Sequence, residues 1–496
     1  MNYLIVYDTI PYDSFIKESF DCSRFSDLVI GKKKYIDILI KKIGIFKEYT
    51  YIFTPTPLFT FSELYKFFHE NITEKSGFGD KDSIIYFDIS NYSIDYATLN
   101  NILNKIKFSD SIIIFKKLGH EGVDELVELY HIPIKILLEN QELSSYIIHH
   151  AATISINVTN IFINLKNPHD VIELFASNFQ IRHFNQLKAG DNYFIKSSAN
   201  KEKIRAEYLF LSNIPHAVKP YYPHVGEIKE ENSQSSYEIE KIYYFDVSKL
   251  FVGNIFSDPA VIHKFLSALS RYLNLCPKKT TSRAEYQNKL REIFIDKTIN
   301  RIKEFTDIPI LGKLDLICSV NGYESAVSLG NLIIEAMRNV IEKIQDTDLV
   351  FSHGDLCFSN ILYNKSLNNI KLVDPKGVLN SIDESYIPMY YDLAKLSHSF
   401  LGLYDLILYD YVETVFSEEA KIILKYYYDQ KVIETMSQQF NEFLHTLGYT
   451  YSYIRLFESS LFISMIPLHK DSNQRMIVQL LQAMNSYDEH KKHEKK

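Results

Sequence analysis

The sequence predicts two parts: an α/β domain with a doubly wound, mainly parallel sheet, then a bilobal α+β domain with a β-rich smaller lobe and a helical larger one. Three observations carry this. Up to about residue 165, short apolar runs alternate with helix-periodic stretches, as when strands are joined by covering helices. Near residue 175, strands instead follow one another around turn residues. From Asp258 onward, apolar residues recur at spacings of three and four, which is helical periodicity. The expected boundaries are 1–174, 175–257 and 258–496.

In the first domain, strands are expected at 3–7, 51–53, 84–88, 111–115 and 135–138, with helices at 35–42, 61–70 and 98–107. In the β-rich lobe, strands at 179–185 and 193–197 flank the turn Lys188-Ala189-Gly190-Asp191. A charged helix follows over 201–211, then a polar loop over 229–236 and a strand over 237–242. In the helical lobe, Ile262, Phe265, Leu266, Leu269, Tyr272 and Leu273 share one helix face. Stretches 283–305 and 330–344 behave similarly. Short strands at 350–352, 361–363 and 371–373 interrupt the helices, which resume at 390 and are expected to run to the end.

Composition excludes several classes. The 496 residues suffice for two or three domains, and 46% hydrophobic with 23% charged is a globular balance. The 36 Tyr, 33 Phe and absent Trp read as base-composition bias in the coding sequence. A net charge of −8 argues against binding nucleic acid through a basic surface. Cys22, Cys276, Cys318 and Cys357 show no paired spacing, so neither a zinc site nor a disulfide framework is expected, and a cytoplasmic setting is. The start lacks the features of a signal peptide. The uncharged run 143–165 carries His149, His150, Asn157 and Asn160 and alternates like a strand, so no membrane span is expected.

Chemistry concentrates in Ser352-His353-Gly354-Asp355-Leu356-Cys357-Phe358-Ser359-Asn360-Ile361-Leu362-Tyr363, followed by Lys371-Leu372-Val373-Asp374-Pro375-Lys376-Gly377. Phosphoryl transfer needs a carboxylate to accept a hydroxyl proton and oxygen ligands to hold Mg²⁺ against phosphates. One Asn and one Asp suffice, because Mg²⁺ keeps several waters. Asp355 and Asn360 share a loop, and a hairpin between the next two strands returns Asp374 beside Asn360. Taken alone, His-Gly-Asp also fits a capped turn, and Asp374-Pro375-Lys376-Gly377 a β-turn.

Together these residues resemble the aminoglycoside phosphotransferase and choline kinase family, relatives of the protein kinases, over about 175–429. The resemblance implies a protein-kinase-like fold, with Asp355 as base, Asn360 and Asp374 as Mg²⁺ ligands, and His353 orienting the loop. Asp392, in Tyr391-Asp392-Leu393-Ala394, is expected to give structural support. Such a kinase also needs a strand Lys for the phosphates of ATP and a helix Glu to orient it. Lys196 and Glu207 take these places, with Glu202 as a competitor. The segment Tyr237-Glu238-Ile239-Glu240-Lys241-Ile242 falls where the family's inter-lobe hinge binds adenine through backbone groups, with Glu240 and Ile242 as the nucleotide-binding positions. One departure stands out: between Ser177 and Asn192 the lone glycine is Gly190, so no glycine-rich loop covers the phosphates.

The first 170 residues resemble the sugar-phosphate nucleotidyltransferases more weakly, through 28–36, the strand ending in Asp88 and the segment 161–170. That family's glycine-rich loop is missing: no Gly precedes Gly31. The domain is therefore expected to keep the fold and to bind a nucleotide sugar, or nothing, without catalysis. Asp88 reads either as a metal ligand or, more plainly, as a strand-end cap.

The expected function is an ATP- and Mg²⁺-dependent kinase acting on a hydroxyl of a small metabolite, such as a sugar or amino alcohol for cell-surface glycan precursors. The alternative is a catalytically silent, kinase-shaped binding scaffold. A protein kinase ranks last, because no Ala-Pro-Glu-like anchor follows the metal loop. Acceptor identity, nucleotide preference and oligomeric state are not written in spacing rules.

Overall fold

A computed structural model describes strands within residues 2–189, together with Lys66, and residues 193–494 apart from 231–233, 254 and 410. The chain divides into two compact units, Met1–Ile181 and Arg182–Lys496.

The first unit contains a six-stranded sheet built from β1 (Asn2–Tyr7), β2 (Tyr49–Thr54), β3 (Ser83–Asp88), β4 (Ile113–Leu118), β5 (Asp124–Pro133) and β6 (Ala152–Ser155). Their order is β2-β1-β3-β5-β4-β6. β1 runs parallel to β2 and β3, and β4 parallel to β6. β5 is antiparallel to both of its neighbours, so the sheet is mixed where a mainly parallel one was expected. The cause is local. β4 ends at Leu118 and β5 begins at Asp124, far too close in sequence for a parallel crossover and far enough apart for a hairpin. The strand expected at 135–138 and the helices at 35–42 and 98–107 fall outside the described residues, as does the helix at 61–70 apart from Lys66, which is helical.

The second unit opens with a four-stranded antiparallel sheet: β7 (Gln186–Ala189), β8 (Tyr193–Ser198), β9 (Val225–Glu230) and β10 (Ser235–Glu240), in the order β7-β8-β10-β9. The expected loop over 229–236 overlaps the end of β9, and the rest of β9 was given no strand, because Val225-Gly226-Glu227-Ile228-Lys229-Glu230 is polar on both faces, as suits an edge strand. Helix α1 (Lys201–Ser212) starts where Asn200 Oδ1 accepts from the Lys203 N–H at 3.1 Å. It buries Ile204, Phe210 and Leu211.

In the helical part, α2 (Pro259–Leu275) buries all six residues of its predicted face. The stretch from Arg283 is one helical path with a π-helical turn: α3 (Arg283–Leu290), Arg291–Asp296, then α4 (Lys297–Lys303). α5 (Ala326–Lys343) leads to β11 (Asp348–Phe351) and to the hairpin β12 (Ile361–Asn364) with β13 (Asn369–Leu372). α6 (Tyr390–Phe400) follows. The expectation of helices from there to the end needs correcting. β14 (Val412–Phe416) and β15 (Ile422–Tyr426) form a hairpin before α7 (Gln430–Thr446), α8 (Tyr451–Met465) and α9 (Asn473–Glu494). Three of the five residues Val412-Glu413-Thr414-Val415-Phe416 are β-branched, and Ala420 lies in the turn at φ +58°. This strand propensity was overrun by the helical trend around it.

Candidate active site

β8 brings Lys196 into the interior, 3% exposed. A buried ammonium requires partners, and two carboxylates provide them. Nζ donates to Glu207 of α1 and to Asp374 Oδ1, the latter at 2.6 Å across 178 positions of sequence. Burial alone would lower the Lys196 pKa, but Asp374 and Glu207 together hold it above the ordinary lysine value. Tyr237, directly opposite Lys196 in the β8–β10 register, donates its hydroxyl to Glu207 Oε1 at 2.8 Å. Glu202, the competitor for this role, is exposed on α1.

The loop after β11 carries His353 and Asp355. The backbone N–H groups of His353 and Gly354 donate to the two carboxylate oxygens of Asp392, each at 2.9 Å. Burial pushes Asp392 up to about 7, against the pull of these two donors. Burial pushes the fully buried His353 down to about 4, so its ring is neutral near pH 7. Its partners fix one tautomer: Nε2 donates to the Val373 carbonyl at 3.0 Å and Nδ1 accepts from the Asp355 N–H at 3.3 Å. The neutral imidazole, bonded at both nitrogens, ties the loop to the end of β13.

The Asp355 side chain stays 31% exposed. Asn360 Nδ2 donates to its Oδ2 at 3.0 Å and to its carbonyl at 2.8 Å, which sets the Asn360 amide. The Val373 N–H donates to the Asn360 carbonyl at 3.0 Å, so the β12–β13 hairpin returns Asp374 beside Asn360. Asp374 sits at φ +55°, in the left-handed region that Asp tolerates. Its side chain is 56% exposed. Asn360 Oδ1 and the Asp374 carboxylate are hard oxygen donors on adjoining backbone, and this donor set fits Mg²⁺ completed by water and phosphate.

Three features were not legible in advance. Lys395, on α6, reaches Asp355 Oδ1 at 2.8 Å. Burial alone would lower its pKa, yet Asp355 and Tyr391 raise it above the ordinary value. The signal was its place one turn after Asp392 on the same helix. Tyr237 was covered by the predicted strand but given no role. Gly377, at φ +80°, lies against α1: an added Cβ would meet the Ala206 carbonyl carbon at 2.8 Å and the Glu207 nitrogen at 2.9 Å. Beside it, the Val378 N–H donates to the Ala206 carbonyl at 3.0 Å. Gly377→Ala should therefore lower stability by about 1–3 kcal/mol, through left-handed strain and overpacking. A thermal midpoint equal to that of the parent chain would contradict this.

Glu240 ends β10. Its carboxylate accepts from the His224 N–H at 2.9 Å, and its own N–H donates to the His224 carbonyl at 2.8 Å. The side chain thus serves the sheet, and any hinge role falls to the backbone beyond it. Ile242 is half-buried just after the strand. In the first unit, Asp88 ends β3 opposite Tyr7; its side chain lies outside the described residues, as do residues 178–185, where the first strand of the β-rich lobe and the phosphate-covering turn were expected.

No protein-family model matches the chain, and no curated protein matches it. Solved structures do. One is a thermostable mutant of the aminoglycoside phosphotransferase APH(4)-Ia in a ternary complex with ADP and hygromycin B: 9% identity, 64% of this chain, 97% of that chain, TM-score 0.35. Another is an ethanolamine kinase of Plasmodium vivax: 11% identity, 65% and 86%, TM-score 0.28. A third is a choline kinase of Cryptosporidium parvum Iowa II: 14% identity, 66% and 96%, TM-score 0.26. The chain is thus similar to an aminoglycoside phosphotransferase and to ethanolamine and choline kinases, the group its motifs resemble.

Proposed function

We propose that residues 182–496 form a kinase that moves the γ-phosphoryl group of Mg-ATP onto a hydroxyl of a small metabolite, from the sugar or amino alcohol class. One observation carries this reading: the buried Lys196 joins Glu207 to Asp374, while Asp374 adjoins the loop on which Asn360 holds Asp355. Structural ion pairs seldom gather a base, two oxygen ligands and a phosphate-binding ammonium into one place; phosphoryl transfer requires all four.

Bound Mg²⁺ supplies charge neutralisation at the phosphates, and Asn360 and Asp374 would hold it. Lys196, oriented by Glu207, binds phosphate oxygens. Asp355 accepts the acceptor's proton as the new O–P bond forms and the bond to the β–γ bridging oxygen breaks, leaving ADP. Asn360 and Lys395 fix the carboxylate so that one oxygen faces the hydroxyl. No glycine-rich turn is needed if Lys196 and the metal provide the phosphate grip. The first unit is proposed to serve as a platform without its own catalysis, and the sequence-level suggestion of glycan precursors rests on that unit alone.

The test is label transfer from γ-labelled ATP to a panel of sugars, sugar phosphates, aminoglycosides and choline analogues with the full chain. Mg-ATP binding without transfer or hydrolysis under any condition would favour the silent scaffold.

A further inference from the structure

The cleft wall beside Asp355 is strongly cationic. Lys297, in the first turn of α4, donates from Nζ to the Tyr391 hydroxyl at 2.8 Å, and its ammonium lies 5.3 Å from that ring's centroid. Lys376, two residues after Asp374, places its ammonium 5.8 Å from the same centroid. Its backbone N–H donates to the His353 carbonyl at 3.1 Å, and a Cβ added at Gly354 would meet its own Cβ at 2.8 Å, so it lies against the Asp355 loop. Tyr391 and Lys395 are four apart on α6 and project on one side, and Lys395 reaches Asp355.

Three ammonium groups therefore gather around the Tyr391 phenol, and one of them, Lys395, pairs with the Asp355 carboxylate. Asp355 pairs with Lys395 and Asp374 with Lys196; among the described residues, no carboxylate pairs with Lys297 or Lys376. Burial would raise the Tyr391 pKa, but Lys297, Lys395 and Lys376 pull it below the ordinary tyrosine value, a sign of how positive the site is. Like charges gathered at this range repel unless an anion joins them. The nucleotide side of the cleft is organised by β8, α1 and the metal loop. Lys297 comes from α4, which supplies none of the proposed nucleotide ligands.

Building on the kinase reading, we propose that the acceptor carries an anionic group, a phosphate monoester or a carboxylate, near the hydroxyl that is phosphorylated, and that Lys297 and Lys376 bind it. The site then selects sugar phosphates or sugar acids over cationic amino alcohols.

Calorimetry on the full chain saturated with Mg-AMP-PNP tests this, because the γ-phosphate position is then filled. The probes are glucose 6-phosphate and glucuronate against glucose, glycerol 3-phosphate against glycerol, and choline. An anionic member should bind at least tenfold tighter than its neutral match. Lys297→Gln and Lys376→Gln should each weaken that member roughly tenfold or more, with Mg-AMP-PNP affinity unchanged within about twofold. The phosphate and carboxylate arms decide between the two anions. Lys376 is exposed, so its substitution reports charge and not misfolding. Equal affinity for charged and neutral probes, including none for either, overturns the inference, as does a preference for choline. Loss of Mg-AMP-PNP affinity in the two variants overturns it too, by assigning the ammonium groups to the nucleotide. Failure of the parent chain to bind Mg-AMP-PNP is a separate outcome that removes the kinase reading itself, and this inference with it.

Discussion

Asp355→Asn should lower turnover by about 10²–10⁴, the usual contribution of a general base, while Mg-nucleotide affinity stays within about twofold. Asn has the shape of Asp, so it can keep accepting from Asn360 Nδ2, now at 3.0 Å from Oδ2. The buried scaffold of the loop, through Asp392 and His353, is untouched. What is lost is proton affinity and the ion pair with Lys395. Rapid-quench or steady-state turnover, measured alongside nucleotide calorimetry, separates the two effects. Undiminished turnover would remove Asp355 from the chemistry; equal loss of turnover and nucleotide affinity would make it a structural residue of the cleft.

Asp374→Ala should weaken Mg-nucleotide binding by about 10²–10³, since a charged metal ligand is worth several kcal/mol. Nucleotide binding in excess chelator should change much less. Asn360→Ala should fall short of this effect because it removes a neutral oxygen. Alanine at φ +55° adds strain of its own, so Asp374→Asn is the companion: Asn tolerates that conformation and removes only the charge. Lys196 keeps Glu207 as a partner in both variants. If both bind Mg-nucleotide as the parent does, the metal is held elsewhere.

The loop that holds Asp355 was legible because local spacing fixes where its residues lie. Asp355, Asn360 and Asp374 lie on a loop and a tight hairpin, where number in the chain nearly determines position in space. Lys196 and Glu207 were legible for a different reason: a strand Lys and a helix Glu upstream of that loop had a stated job. Lys395 and Tyr237 were not, because their roles depend on tertiary closure. Tyr237 matters through its place opposite Lys196, which only the β8–β10 register reveals. The missed strands have separate causes. β9 is a polar edge strand and β14–β15 a short hairpin set among helices, whereas β5 is a ten-residue interior strand whose sequence shows no clear alternation. Gly377 looked like an ordinary turn glycine until its neighbour proved to be the backbone of α1.

That contact bears on how such an enzyme would be controlled. Many kinases are switched off by swinging the helix that carries the glutamate away from the lysine, which requires that helix to move without the metal loop. Here the Val378 N–H is bonded to the Ala206 carbonyl, and Gly377 is wedged against the Ala206–Glu207 peptide. Moving α1 alone would break this backbone bond and open the buried Lys196–Glu207 pair, leaving Lys196 with Asp374 alone. In the proposed kinase the resting arrangement would then already be the working one. Flux through the proposed reaction would follow the supply of nucleotide and acceptor and the amount of protein made.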